Sequence, residues 1–190
     1  MNSRIKILYV EDDLDFIYII GKMLEKEPDF EICGYARTRE EGIALAKELQ
    51  PDIALVDLSL TPNNFDGIDA AKEIHLVCGA KIVLLTSFEQ PKISIEASKR
   101  SFASGYVFKS QCQLLPETIR KTAAGATPQE QFIKALIIDE LSNAEKSVLL
   151  YLLGEELKIA SSEKTIANQK TNIFRKLGVR NTDELIRLLR

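Results

Sequence analysis

"ILYVEDD" (Ile7–Asp13) decides the reading of this chain. Four apolar residues end abruptly in three acids. A strand buried on both faces reads as a continuous apolar run. Four further runs share the character: Phe30–Ala36, Asp52–Leu58, Lys81–Ser87 and Gly105–Lys109, the first being taken as Ile5–Val10. Segments of helical spacing lie between them. One holds Phe16, Ile19, Ile20, Met23 and Leu24, a second Ile43, Leu45, Ala46 and Leu49, a third Ile68, Ala71 and Ile74. The alternation predicts an α/β fold, a parallel sheet of five strands with helices on both faces.

The chain has 190 residues, 45% hydrophobic and 28% charged, enough for one large or two small domains. No strand-like run follows Gly125, and "AAGATP" marks a boundary there. The expected organisation is residues 1–125, a linker helix over 126–141, and a small all-α domain over 142–190. The net charge is only −3, but Ala160–Arg190 carries seven Lys and Arg against three Asp and Glu. That basic end points to a polyanionic partner. Cys33, Cys78 and Cys112 are far apart and odd in number, so reduced, buried thiols are expected. The opening apolar run is too short for a signal peptide, and no stretch approaches the roughly 18 apolar residues of a membrane helix. The expected location is the cytoplasm, with no membrane partner.

In open α/β sheets, ligands lie beyond the carboxyl ends of the strands. Those ends carry Glu11, Asp12 and Asp13, then Asp57, then Thr86 with Ser87, then Lys109. Crowded carboxylates need a counter-charge, and oxygen ligands suit Mg²⁺. Asp57 beside such an ion is placed as a nucleophile for phosphoryl transfer. The Thr86 hydroxyl and Lys109 ammonium would hold the added oxygens. Either Asp13 or Asp15 is expected to cap the first helix. A haloacid-dehalogenase-type phosphatase would want a second Asp two places after Asp57, where Ser59 stands; a P-loop protein would want a Gly-rich cradle where the acids stand.

"ILYVEDD", "PDIALVDLSL…DGIDAAKEI", "IVLLTS" and "GYVFK" together resemble the receiver domain of two-component response regulators, over roughly Ile5–Ala124. The resemblance implies a flavodoxin-like, doubly wound sheet. It makes Glu11 and Asp12 metal-binding acids and Asp57 the phosphoryl acceptor, with the Ser59 backbone carbonyl completing the Mg²⁺ shell. Thr86 becomes the switch hydroxyl, Lys109 the phosphate-pairing lysine, and Tyr106 the aromatic that swings inward when Thr86 engages the phosphoryl group. The phosphodonor would be a histidine kinase, and the protein a regulator, not an enzyme beyond self-phosphorylation and self-dephosphorylation at Asp57. The loop from Asp57 to Gly67 is about two residues longer than the usual one.

"SSEKTIANQKTNIFRKLG" (Ser161–Gly178) is the second informative stretch. Ser162 is a candidate N-cap, Gly178 closes the helix, and Ile166, Ile173, Phe174 and Leu177 form one stripe. Lys164, Asn168, Thr171 and Arg175 follow another face, flanked by Thr165, Gln169 and Asn172. Amides, hydroxyls and cations are what phosphates and base edges pair with. With "LSNAEKSVLLYLL" before it and "NTDELIRLL" after it, the stretch resembles the LuxR/NarL-type helix-turn-helix output domain. That makes Ser162–Leu177 the recognition helix, with Lys164, Thr165, Asn168, Gln169, Thr171, Asn172, Arg175 and Lys176 as candidate duplex DNA contacts. The last helix would pair two protomers through Leu185, Ile186, Leu188 and Leu189, giving a homodimer when phosphorylated. Two departures stand out. Ala167 occupies a position where the family commonly carries Lys, and "GEELKIAS" is about seven residues too short for a full scaffold helix. The scaffold helix is therefore expected to be shortened. The alternative is a phosphorylation-controlled protein- or RNA-interaction module.

Overall fold

The computed structural model describes residues 4–61, 65–125, 127–155 and 162–189. The chain divides into two compact units, Met1–Ile133 and Lys134–Arg190.

The first unit alternates β1 (Ile5–Val10), α1 (Leu14–Leu24), β2 (Phe30–Ala36), α2 (Arg39–Leu49), β3 (Ile53–Val56), α3 (Asp66–Cys78), β4 (Lys81–Thr86), α4 (Pro91–Ser101) and β5 (Gly105–Phe108). A 3-10 turn (Lys109–Leu114) leads into α5 (Leu115–Ala124). The sheet is wholly parallel, in the order β2-β1-β3-β4-β5. Ile7–Val10 of β1, all of β3 and Ile82–Leu85 of β4 are buried on both faces, hence their unbroken apolar sequences. Ile7, Tyr9, Ile53, Leu55, Val83, Leu85 and Val107 share a core with Ile20 and Leu24 of α1 and Leu115 and Ile119 of α5. The alternate residues Leu8, Val10, Ala54, Val56, Ile82 and Leu84 are equally buried and point the other way.

Register brings the strand ends together. Val10 pairs with Val56, and Thr86 with Phe108. β3 ends at Val56, two residues before the expected Leu58, although Asp57 N–H still donates to Val10 O (3.0 Å). Asp13 caps α1, its Oδ1 accepting from Asp15 N–H (2.8 Å) and Phe16 N–H (3.3 Å). The three cysteines are half-buried, not fully buried as expected; the Sγ atoms of Cys33 and Cys78 donate to Ile7 O and Ile74 O.

The first turn of α6 (Pro128–Asp139) is bonded to the sheet. Thr127 Oγ1 donates to Ser104 O (3.1 Å), Tyr106 N–H donates to Gln129 Oε1 (3.3 Å), and Lys81 pairs with the buried Glu130 (3.1 Å).

The second unit holds the remainder of α6, α7 (Asn143–Leu152), α8 (Glu163–Leu177) and α9 (Thr182–Leu189). Ser142 and Glu145 form a reciprocal capping box at the start of α7. Ser162 caps α8, and Gly178, at φ 61°, ends it in the left-handed conformation that glycine adopts without strain. The small core gathers Ile137, Leu141, Val148, Leu149, Ile173, Leu177, Val179, Leu185 and Leu188. Leu185 and Leu188 are therefore not a surface for a second protomer. Three residues apart on a short helix, they fill their own unit's core, while Ile186 and Leu189 stay half-exposed. The shortened scaffold helix is expected within Gly154–Ser161, of which 156–161 lie outside the described residues.

Candidate functional site

Three carboxylates meet where β1 and β3 end. Glu11, Asp12 and Asp57 each offer an oxygen, and these lie within 4.8 Å of one another. Glu11 is fully buried, Asp57 nearly so, and Asp12 half-buried. The Lys109 ammonium, delivered by the end of β5, lies 2.7 Å from Glu11 Oε2 and 3.5 Å from Asp57 Oδ2. It also sits 4.1 Å above the Phe16 ring of α1, which closes the site from that side. Burial pushes the Asp57 carboxyl above its ordinary value, against the pull of the Lys109 charge. Glu11 is raised too, first by burial, with the Lys109 hydrogen bond opposing and the Asp57 charge adding.

The arrangement fits a hard cation. With all three acids ionised, one ammonium leaves an excess of two negative charges in a largely dry site. Asp57 Oδ1 is buried and has no hydrogen-bond partner among the described residues. A buried carboxylate oxygen with no donor is costly. An oxygen-seeking divalent ion supplies both the missing partner and the missing charge. Asp13 contributes to α1, not to this cluster.

Thr86 and Tyr106 form a second group. They fall on the alternate residues of β4 and β5, turned from the face of Val83, Leu85 and Val107. Both reach the loop between β4 and α4 through one residue the sequence did not single out. Phe88 N–H donates to Thr86 Oγ1 (3.3 Å), and Phe88 O accepts from the Tyr106 hydroxyl (3.0 Å). The Phe88 ring meets Phe65 edge-on at 5.1 Å, at the end of the lengthened loop after Asp57. Tyr106 is half-buried in this arrangement. Ser59 is half-buried, and its hydroxyl donates to Thr61 O.

Residues 7–120 match the sequence profile of the response regulator receiver domain. The chain belongs to the response regulator family. The transcriptional regulatory protein LiaR of Bacillus subtilis is 32% identical to this response regulator over 175 residues, 88% of this chain and 79% of that one. A LuxR-family two-component response regulator from Aurantimonas sp. matches at 28% identity and a TM-score of 0.60, over 73% of this chain and 98% of the other. The RcsB response regulator of Salmonella typhimurium, in a structure concerned with DNA interaction, matches at 26% and 0.59, over 98% and 97%. The regulator thus has the flavodoxin-like receiver fold, and its added helices are consistent with a LuxR-type output domain. No helix among its described residues is long and apolar enough to cross a membrane.

In the output unit of this response regulator, Lys164, Thr165, Asn168, Thr171 and Arg175 are exposed along α8, with Gln169 and Asn172 half-buried beside them. The Thr171 hydroxyl bonds back to Ala167 O, and Arg175 reaches Asn172 Oδ1. Lys176 differs from the rest. Its ammonium lies 2.6 Å from Glu145 Oε2, on a buried side chain that also accepts from Ser142 N–H. It ties α8 to the start of α7, and a strut of that kind is not a free cation for DNA.

Proposed function

We propose that this response regulator is cytoplasmic and accepts a phosphoryl group on Asp57 from a histidine kinase, in a Mg²⁺-dependent reaction. Phosphorylation then controls dimerisation and duplex DNA binding by residues 142–190, and so transcription. On this reading residues 1–125 are the receiver and 126–141 the linker. The observation that carries it is the buried, unpartnered Asp57 Oδ1 among Glu11, Asp12 and Lys109.

Mg²⁺ at Glu11, Asp12, Asp57 and the Ser59 carbonyl would neutralise the acids and draw charge off the transferring phosphoryl oxygens. Asp57 attacks phosphorus; the new bond runs from its carboxylate oxygen to phosphorus, and the bond to the donor's imidazole nitrogen breaks. Lys109, already beside Asp57 Oδ2, turns to the phosphoryl oxygens. Thr86 moves so that its hydroxyl donates to a phosphoryl oxygen, and that displacement draws Oγ1 away from the Phe88 N–H it accepts from, freeing the loop that also holds the Tyr106 hydroxyl. Tyr106 then swings inward. A bias of about 1–3 kcal/mol between two conformations is enough for such a switch. The protein is a regulator, not an enzyme, apart from chemistry at its own Asp57.

The test is radiolabelled acetyl phosphate with and without Mg²⁺, on wild type and Asp57→Asn, followed by anisotropy with duplex DNA from the gene's own upstream region and a scrambled control. Mg²⁺-dependent label lost in Asp57→Asn, with salt-sensitive duplex binding that phosphorylation strengthens, is the expected result. Label without any effect of phosphorylation on duplex binding or oligomeric state would sink the output half of the reading.

A further inference from the structure

We propose that Tyr9 is a positioning residue for the cation site, its buried phenol holding the Glu11 carboxylate in a fixed orientation. The inference rests on the reading of Glu11 as a metal ligand. Tyr9 and Glu11 are two residues apart at the end of β1, so both side chains project from the same face. Tyr9 is fully buried, and its hydroxyl donates to Glu11 Oε2 at 3.2 Å. The Lys109 ammonium meets the same oxygen at 2.7 Å. Oε1 has only a long bond, 3.4 Å, from Asp13 N–H. Both side-chain donors therefore hold one oxygen and leave the other the better placed to meet a cation.

A phenylalanine at residue 9 would fill nearly the same core volume and supply no donor. The phenol is fixed in place by the core that holds Ile7, Ile20 and Leu55, and its ring lies 6.2 Å from that of Tyr35. The phenol O–H is a donor that needs an acceptor inside the core, and Glu11 supplies it. Its importance grows with phosphorylation. If Lys109 leaves Glu11 for the phosphoryl oxygens, Tyr9 is the remaining side-chain donor to a fully buried carboxylate among the described residues. Tyr9 thus keeps Glu11 oriented in both states, a role that outer-shell hydrogen bonds take at metal sites.

The experiment is Mg²⁺ titration calorimetry on the unphosphorylated full chain. Tyr9→Phe weakens Mg²⁺ binding about tenfold, whereas Tyr35→Phe, on the exposed neighbour, changes it by less than about twofold. In a Lys109→Met background the loss from Tyr9→Phe is larger, because the two donors share one oxygen; a purely structural role gives equal losses. Fluorotyrosine-labelled wild type supplies a reading free of mutation: Mg²⁺ shifts the fluorine resonance of Tyr9. Wild-type affinity in Tyr9→Phe, with Asp12→Asn abolishing binding, overturns the proposal and leaves the cation site standing. A Tyr9 resonance unmoved on Mg²⁺ binding does the same. Wild type that binds no Mg²⁺ overturns both.

Discussion

Gly67→Ala tests how α3 is seated against the phosphoacceptor. A Cβ built on Gly67 would lie 1.8 Å from the carbonyl oxygen of Asp57 and 2.8 Å from the carbonyl carbon of Leu58. Real Cβ contacts essentially never fall below 3.0 Å, so α3 and the end of β3 must separate by about 1.2 Å. Both neighbours are backbone, and neither can rotate away. Gly67 N–H also donates to Leu58 O at 3.1 Å, a bond the separation would break. Ile68, Ala71 and Ile74 anchor the same helix in the core, so sliding it disturbs that packing as well. Overpacking of this kind costs about 3 kcal/mol. For a unit of this size that lowers the melting temperature by roughly 12 °C. The separation also turns the Asp57 carboxylate out of line, and a misplacement near 1 Å costs on the order of 100-fold in rate. Thermal melts and acetyl phosphate labelling of wild type and Gly67→Ala read both effects. A variant that melts within about 3 °C of wild type and labels at about the same rate would refute the reasoning.

Three further outcomes are expected. Asp57→Asn raises the melting temperature at pH 7 in chelator by roughly 4 °C, about 1 kcal/mol. Burial raises the Asp57 pKa, so the folded state binds its proton more tightly than the unfolded chain. Stability therefore falls as pH rises from the ordinary 3.8 through the raised value, and the Asn variant shows less of that fall; a lower melting point for the variant contradicts this. In the output unit, Lys176 holds the Glu145 carboxyl below its ordinary 4.5, so that bridge stabilises above 4.5 and is lost as pH falls through the depressed value. Lys176→Met leaves Glu145 buried without its cation and costs about 1–2 kcal/mol, read as lower hydrogen-exchange protection of Val148 and Ile173; unchanged protection counts against the strut. Arg175→Ala weakens duplex binding, lowers the salt slope by about one and leaves the melt unmoved, whereas an unchanged slope removes Arg175 from the interface.

The sheet was legible because Ile7–Val10 of β1, all of β3 and Ile82–Leu85 of β4 are buried on both faces and read as unbroken apolar runs. Glu11, Asp12, Asp57 and Lys109 were legible because a parallel sheet delivers all its strand ends to one edge. Partners distant in sequence were not legible. Lys176 reads as one more cation on a basic helix until Glu145, 31 residues earlier, is seen to face it. Leu185 and Leu188 read as an apolar stripe, and a stripe does not state whether its partner is the same chain or another. Phe88 carries no motif; its amide and carbonyl do the bonding, and any residue has those. Tyr9 did leave a signal, since a phenol two places before an acid on a buried strand needs a partner on its own face.

Tyr106 joins the two ends of the proposed switch. Its hydroxyl is bonded to Phe88 O, on the loop that Thr86 also holds, and its N–H to Gln129 on the first turn of α6. A side-chain swing alone could leave the backbone of β5 at rest. However, the neighbouring bonds limit where any backbone displacement can go. Thr127 is bonded to Ser104 O, just before β5, and Glu130 to Lys81 at the start of β4. With attachments at Thr127, Gln129 and Glu130, the first turn of α6 is held to the sheet and to the start of β5. A displacement of β5 is carried into that turn or opposed by it, and the helix it begins runs on to Asp139. On the proposed reading, the coupling runs through the hydrogen bonds from Phe88 through Tyr106 to Gln129, and its strength depends on how firmly Lys81 and Glu130 hold the turn in place.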